Sequence, residues 1–290
     1  MKKLRIVTTI MLCMGNLWAQ GQSSSDSIKL AVPLDSVVNA KKMGLEVKPV
    51  RIDFHLSKGE FAYQSIFVTN NFSTTMQFKA RFVDWMRDSL GGHEYSEPGT
   101  TPRSCAQWMS FGNDVVEIEP GKTKDILVRL KMPDNDSAVA EMRWCLVFLE
   151  SVTENRVYKP SDSSRAHVNT LFRVGIHILQ TPPQLESQKS LEMLSFKSVP
   201  GAKDQFQILC RNTGQTQLEC KGYLELSSLE TGEKITIEPK IFPLFPDQKR
   251  YIDFTLPEGL KKGKYTILAV ADAGEDDIPL QASEATIDIK

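Results

Sequence analysis

Four cysteines lie beyond the first twenty residues: Cys105, Cys145, Cys210 and Cys220, one pair in each half of the 290-residue chain. In an exported chain, as the leader described below makes this one, an even set of that kind is expected to close two intradomain disulfides, Cys105 with Cys145 and Cys210 with Cys220. A metal would need closely spaced Cys/His ligand pairs. None of these cysteines sits in a C-x-x-C or has a histidine at ligand spacing, so no metal and no other cofactor is expected. The histidines His55, His93, His167 and His177 are scattered. His177 falls on the polar phase of a strand pattern and His93 in a Gly-rich loop, which predicts solvent or partner contact. Glu275, Asp276 and Asp277 are consecutive and point in different directions, whereas a calcium loop needs oxygen ligands at alternating positions. The chain has no G-x-S-x-G elbow, no phosphate-cradling loop, no dinucleotide fingerprint and no H-E-x-x-H. No enzyme is expected; the chemistry open to this chain is binding.

Three tryptophans bear on what is bound. Trp85 and Trp108 would be stacking residues for a sugar if exposed, but large aromatics more often fill sandwich cores. Trp144, beside Cys145, reads as a core tryptophan packed on a disulfide.

The elements that must position these residues are short strands. Met76, Phe78, Ala80 and Phe82 alternate with Gln77, Lys79 and Arg81, which predicts a half-buried strand. The pattern returns at Ile126, Val128, Leu130 and Met132 after the turn Glu119-Pro120-Gly121-Lys122, and again from Val168 to Leu179. Arg143 to Glu150 reads as a strand buried on both faces. Strand signals with intervening turns and no long amphipathic helix predict antiparallel sandwiches. Pro182 and Pro183 end the first, which is expected over 44–181, and a second, smaller one over 184–290. Within it Cys210 and Cys220 are expected to face each other across a hairpin turning at Asn212-Thr213-Gly214, with Phe206 opposite Leu224. Later strands are expected at Arg250–Leu256, Lys264–Ala271 and Ala285–Ile289.

The chain begins with Lys2, Lys3 and Arg5, then the apolar run Ile6 to Met14, then the small residues Ala19 and Gly21. That is the pattern of a secretory signal peptide over residues 1–21, cut after Ala19 or Gly21. Residues 22–43 are polar and aperiodic and are expected to form a flexible lead-in. No later run reaches the roughly 20 apolar residues of a membrane-spanning helix. With 35 Lys and Arg against 36 Asp and Glu, interspersed, nucleic-acid binding loses its compositional support. The expected location is the periplasm, with the cell surface as the other option for an exported chain.

The order of motifs resembles the periplasmic pilus-assembly chaperone family. It runs from Leu45-Glu46-Val47-Lys48-Pro49-Val50-Arg51 through Phe67-Val68-Thr69-Asn70-Asn71, Trp108-Met109-Ser110 and Ile118-Glu119-Pro120-Gly121. It continues through Met132-Pro133 and Trp144-Cys145-Leu146-Val147 to Thr170-Leu171-Phe172-Arg173-Val174. Cys210-Arg211-Asn212-Thr213-Gly214 is similar to the second domain of that family. The resemblance implies two immunoglobulin-like β-sandwich domains in tandem and a binder of exported subunits that lends a strand at an interdomain cleft. It implies that Arg51 and Arg173 hold the subunit's terminal carboxylate, a task suited to a planar guanidinium. It also implies that Val174, Ile176 and Ile178 are offered to the subunit, against which stands ordinary core packing. The family's anchor on that last strand is typically a lysine, and the added cysteines and long lead-in depart from its pattern.

Asp-Ser-aliphatic triplets at Ser27, Ser36, Ser89 and Ser137 are similar to an O-glycosylation pattern of exported bacterial proteins. Two functions therefore stand at the level of sequence: a chaperone-like binder of exported pilus or surface subunits, and a permanent scaffold within an envelope secretion or adhesion complex.

Overall fold

The computed structural model describes residues 44–152, 155–157 and 168–290. The leader, the lead-in, Ser27, Ser36 and His167 lie outside the described residues. The chain is almost wholly β, with twenty strands and three short 3-10 turns in these segments.

The first sandwich packs two sheets. One holds β1 (Leu45–Lys48), β3 (Phe61–Asn70), β8 (Thr123–Lys131) and β6 (Met109–Phe111), in the order β1-β3-β8-β6. The other holds β2 (Arg51–Phe54), β12 (Arg173–Gln180), β9 (Arg143–Ser151), β4 (Met76–Arg87) and β5 (His93–Ser96) in that order, with β7 (Val115–Ile118) also paired to β4. A two-stranded ribbon, β10 (Asn155–Val157) with β11 (Val168–Thr170), extends beyond β9 and β12. The alternation seen in sequence explains the layers. Met76, Phe78 and Ala80 of β4 and Ile126, Val128 and Leu130 of β8 enter one buried cluster, while Lys79 and Asp125 stay exposed. Strand β9 is buried on both faces: Cys145, Val147 and Leu149 point into this core, and Trp144, Leu146 and Phe148 point away from it into a second cluster.

The second sandwich follows Pro182-Pro183. Its sheets are β13 (Leu191–Ser198), β14 (Gln205–Asn212) and β18 (Lys249–Thr255), and opposite them β16 (Lys234–Thr236), β15 (Leu218–Ser228), β19 (Gly263–Asp272) and β20 (Gln281–Ile289), with β17 (Lys240–Leu244) also on β15. The expected hairpin between Cys210 and Cys220 is not formed. Strand β14 pairs β13 and β18, and β15 pairs β16, β17 and β19, so the chain crosses between sheets at Asn212. Phe206 and Leu224 therefore meet in the core between sheets and not as ladder neighbours. Both residue pairs keep the apolar phase inward, so alternation alone could not distinguish a hairpin from a crossing.

Asn212 fixes that crossing. Its Nδ2 donates to the carbonyls of Thr216 and Leu244, both at 2.8 Å, and its Oδ1 accepts from Gly214 N at 2.8 Å. Asn70, at the end of β3, does the same with Thr74 and Ile118 at 2.8 Å and Phe72 N at 2.9 Å. Both asparagines are fully buried. Three satisfied bonds make such burial tolerable and hold the connection in one shape.

The outer face of the larger first sheet packs against the second sandwich. Val83, Trp85, Met142, Trp144, Leu146, Phe148 and Leu179 join Phe245 from the second sandwich in a separate buried cluster. Trp85 and Trp144 both stand 5.0 Å from the Phe245 ring. Arg103 pairs with Asp247 at 2.7 Å, Arg51 with Glu219 at 3.4 Å, and Tyr251 N donates to the Ser89 carbonyl at 2.8 Å. The described residues thus form one compact unit.

Candidate functional site

Strand β12 is covered differently on its two sides. His177 N donates to Val50 O at 3.0 Å and Thr181 N to Phe54 O at 2.9 Å, so the odd-numbered backbone groups face β2. The even-numbered groups face β9, which runs alongside all of β12 from Arg173 to Gln180. Strand β2 reaches only from His177 to Gln180. Over Arg173–Ile176, no strand among the described residues lies on that side, so the backbone of Arg173 and Gly175 faces an open lane. Among the described residues no strand lies on the far edge of β1 either, and the hollow between them has a volume of about 600 Å³, lined by Gly44 to Lys48, Val50, Asn71 and Val174. The sandwich has a seam here between these two strand edges.

Arg51 and Arg173 are not brought together. Arg51 stands beside His177, four residues from Arg173 on β12, a separation of about 13 Å at the usual strand rise. Each has its own acids: Arg51 pairs with Asp53 at 2.8 Å and with Glu219, and Arg173 pairs with Glu150 at 2.5 Å. A single carboxylate cannot be forked by both. Of the alternating residues, Ile176 and Ile178 are completely buried in the chain's own core, and Val174 is half-buried at the seam. The offer of Ile176 and Ile178 side chains is thereby corrected to core packing; what faces outward at this edge is backbone.

Beside the open lane lies a cluster that spacing did not reveal. The Phe148 ring is flanked by two guanidiniums, Arg81 at 5.2 Å and Arg173 at 4.9 Å. Both reach Glu150, Arg81 through two bonds of 3.2 Å. The Arg81 hydrogen bonds, reinforced by the charge of Arg173, hold the Glu150 carboxyl below its usual range against the effect of burial. These residues sit on three neighbouring strands, which no local pattern joins.

Further along the same face, Trp85, His93, His177 and Phe245 form an aromatic group at the joint between sandwiches. Trp85 lies 4.7 Å from His177 and 5.2 Å from His93. Burial lowers the His177 imidazole to about 4, helped by His93, Arg87 and Arg51. The expected exposure of His177 is thus corrected to a half-buried ring, and His93 lies on β5 instead of in a loop. His55 pairs with Glu186 at 2.6 Å and Glu275 with Lys189 at 2.6 Å. Among the described residues, no cluster of three His, Cys, Asp or Glu side chains could hold a metal, and no helix is long and apolar enough to cross a membrane.

Trp85 and Trp108 pack inward, as large aromatics of a sandwich do, whereas Trp144 has another partner than its spacing suggests. Trp85 is buried at the joint and donates its Nε1 to Cys145 O at 3.2 Å, while Trp144 donates its own to Trp85 O at 3.0 Å. Trp144 faces away from Cys145, because neighbours on a strand point to opposite sides. Trp108 is half-buried under Arg143.

The two disulfides are also corrected: all four cysteines are free and buried. The thiols of Cys105 and Cys145 are in hydrogen-bond contact, and burial pushes Cys145 well above its usual value. Cys210 and Cys220 lie in one core, with burial pushing Cys210 up to about 12 and Cys220 up as well. Of the described serines in Asp-Ser-aliphatic triplets, Ser137 is exposed, whereas Ser89 is half-buried where its carbonyl receives Tyr251 N.

No family model matches the chain, and no curated protein matches it. Solved structures similar to it include the chaperone–tip adhesion subunit pre-assembly complex of the archaic chaperone-usher Csu pili of Acinetobacter baumannii, with 14% identity and a TM-score of 0.45 over 83% of this chain and 97% of that one. The class 5 fimbriae chaperone CfaA is similar at 12% identity and a TM-score of 0.43, over 84% and 98%. A protein of unknown function from Porphyromonas gingivalis is similar at 12% and 0.29, over 84% and 99%. The pilus-assembly chaperones to which the order of motifs pointed are thus among the solved structures similar to this chain.

Proposed function

We propose that this protein is a non-catalytic, chaperone-like binder of exported β-rich subunits, acting in the periplasm after its leader is removed. The observation that carries the reading is the side of β12 over Arg173–Ile176 that no strand among the described residues covers, facing the outer edge of β1 across a seam of mixed polar and apolar lining. An unpaired edge offers main-chain donors and acceptors to any extended segment, and alternate side chains of that segment would fall into the seam. Such an edge is a liability in a protein with no use for it. The subunit's strand would lie end to end with β2, beside β12. Arg51 and Arg173 would act separately, at two points along the lane, and not as one carboxylate clamp.

The test is site-specific photo-crosslinking in intact envelopes from position 173 or 175, with position 63 on the opposite face of the sandwich as the comparison. Capture of small exported β-proteins from 173 and 175 alone supports the reading. Crosslinks to one large envelope complex from all three positions would favour a permanent scaffold, and silence at 173 and 175 would refute the edge as a binding site.

A further inference from the structure

The open lane has a chemistry as well as a shape. Side chains directly opposite one another on paired strands share a face. On the outer face, Arg173 is opposite Glu150, Gly175 opposite Phe148 and His177 opposite Leu146. A strand entering the lane would therefore place alternate residues beside Arg173 and Gly175.

At the first of these positions the charges are unbalanced. Among the described residues, Glu150 is the one carboxylate paired with Arg81 and Arg173, and Lys79 stands opposite it on β4, exposed. Three cations surround one anion. The Arg173 side chain keeps 58% of its surface in water, so guanidinium hydrogens beyond the one on Glu150 are reachable. Phe148 holds the two guanidiniums in place on its ring. A second carboxylate arriving here meets fixed donors; a cation meets repulsion.

At the second position β12 presents no side chain of its own, and Leu146 borders the space above it. Gly175 has no positive φ, so the backbone does not demand a glycine. A Cβ there would come within 3.1 Å of a Leu146 methyl, a flexible neighbour. Glycine within a strand weakens it and commonly marks close approach by another group. A bulky side chain across the strand pair can fill the space that such a glycine leaves.

We infer that the segment received by this edge carries an acidic side chain beside Arg173 and, two residues away, a large apolar side chain beside Gly175. The inference rests on the edge-binding reading above and adds the sequence that the edge selects. The charge imbalance at Arg173 and the missing side chain at Gly175 specify a partner strand with alternating acidic and bulky residues.

The experiment uses the mature full chain and fluorescent nine-residue, β-prone peptides bearing Asp-x-Phe, Lys-x-Phe, Asp-x-Gly or neither feature, each in both orders along the peptide, read by anisotropy. Asp-x-Phe in one order should bind best, with Lys-x-Phe weaker by about tenfold or more. Arg173→Glu should reverse the preference between Asp and Lys, Arg173→Gln should abolish it, and Gly175→Val should abolish the advantage of Phe over Gly. Thermal melts confirm that each variant is folded. Equal binding of all peptides would overturn this inference while leaving the edge as a binding site. No binding by any peptide, with no competition against a captured subunit, would overturn both.

Discussion

Asn70 and Asn212, 142 positions apart in sequence, make the same three hydrogen bonds at the same kind of place. In each case the amide nitrogen ties the carbonyl four residues ahead to a carbonyl of a distant strand, and the amide oxygen takes the backbone N–H two residues ahead. The two sandwiches share a corner. Replacing either residue by alanine strands buried backbone groups, so Asn70→Ala and Asn212→Ala should each cost about 2–4 kcal/mol, measured by urea unfolding. Asp in place of Asn keeps the acceptor and loses both donors, and should be nearly as damaging.

Phe245 is the anchor of the second sandwich on the first, buried against Trp85 and Trp144. Phe245→Ala should remove about 3 kcal/mol of stabilisation. Part of that loss falls on the joint and not on either core. The expected outcome is a larger radius of gyration in solution scattering and quenchable tryptophan fluorescence, with far-ultraviolet dichroism preserved.

His177 makes the joint sensitive to acid. The folded chain holds the ring neutral down to about 4, whereas the unfolded chain protonates it near 6.5. Unfolding therefore takes up a proton between those values. The contribution of the neutral ring is fully present above about 6.5 and is lost as pH falls through 4. Facing groups act in the same direction: Arg51 from β2, Arg87 from β4 and His93 from β5 repel a charged ring, while Glu219 of β15 is engaged by Arg51 and Gln217. Melting temperature should drop between pH 7 and pH 4.5, and less steeply in His177→Gln. An unchanged slope in the variant would show that other groups govern the acid response.

The four core cysteines should be inert while the chain is folded: all four are buried from reagent, and burial raises the thiols of Cys145, Cys210 and Cys220, which leaves almost no thiolate there. Iodoacetamide is expected to leave Cys105, Cys145, Cys210 and Cys220 unmodified under native conditions, and to modify all four in denaturant without reductant, as read by peptide mass. Protection that persists in denaturant until a reductant is added would show that the pairs are oxidised in the isolated protein.

Much of the strand framework was legible along the chain. Alternation over Met76–Phe82 and Ile126–Met132 places inner and outer faces, and the run in β9 announces burial on both sides. What lies across space is harder to read. Adjacency in sequence suggests that Trp144 packs on Cys145, yet adjacency on a strand means opposite faces. Matching phases suggest a ladder between Phe206 and Leu224, and the same phases also suit two sheets meeting across a core.

The candidate site was legible only in part. Arg51, Arg173 and Val174 stand out along the chain, but nothing local shows that Arg51 and Arg173 lie four residues apart along the lane, or that Ile176 is consumed by its own core. Gly175, Phe148, Arg81 and Glu150 carry no local signal, since they come from three strands and join only when those strands lie side by side. Period and turn chemistry are local properties, so they can be read along the chain and tell which segments are strands and which way their side chains face. Which strand lies beside which, and which charges face the open side of β12, depend on contacts between distant segments and emerge once the chain is folded.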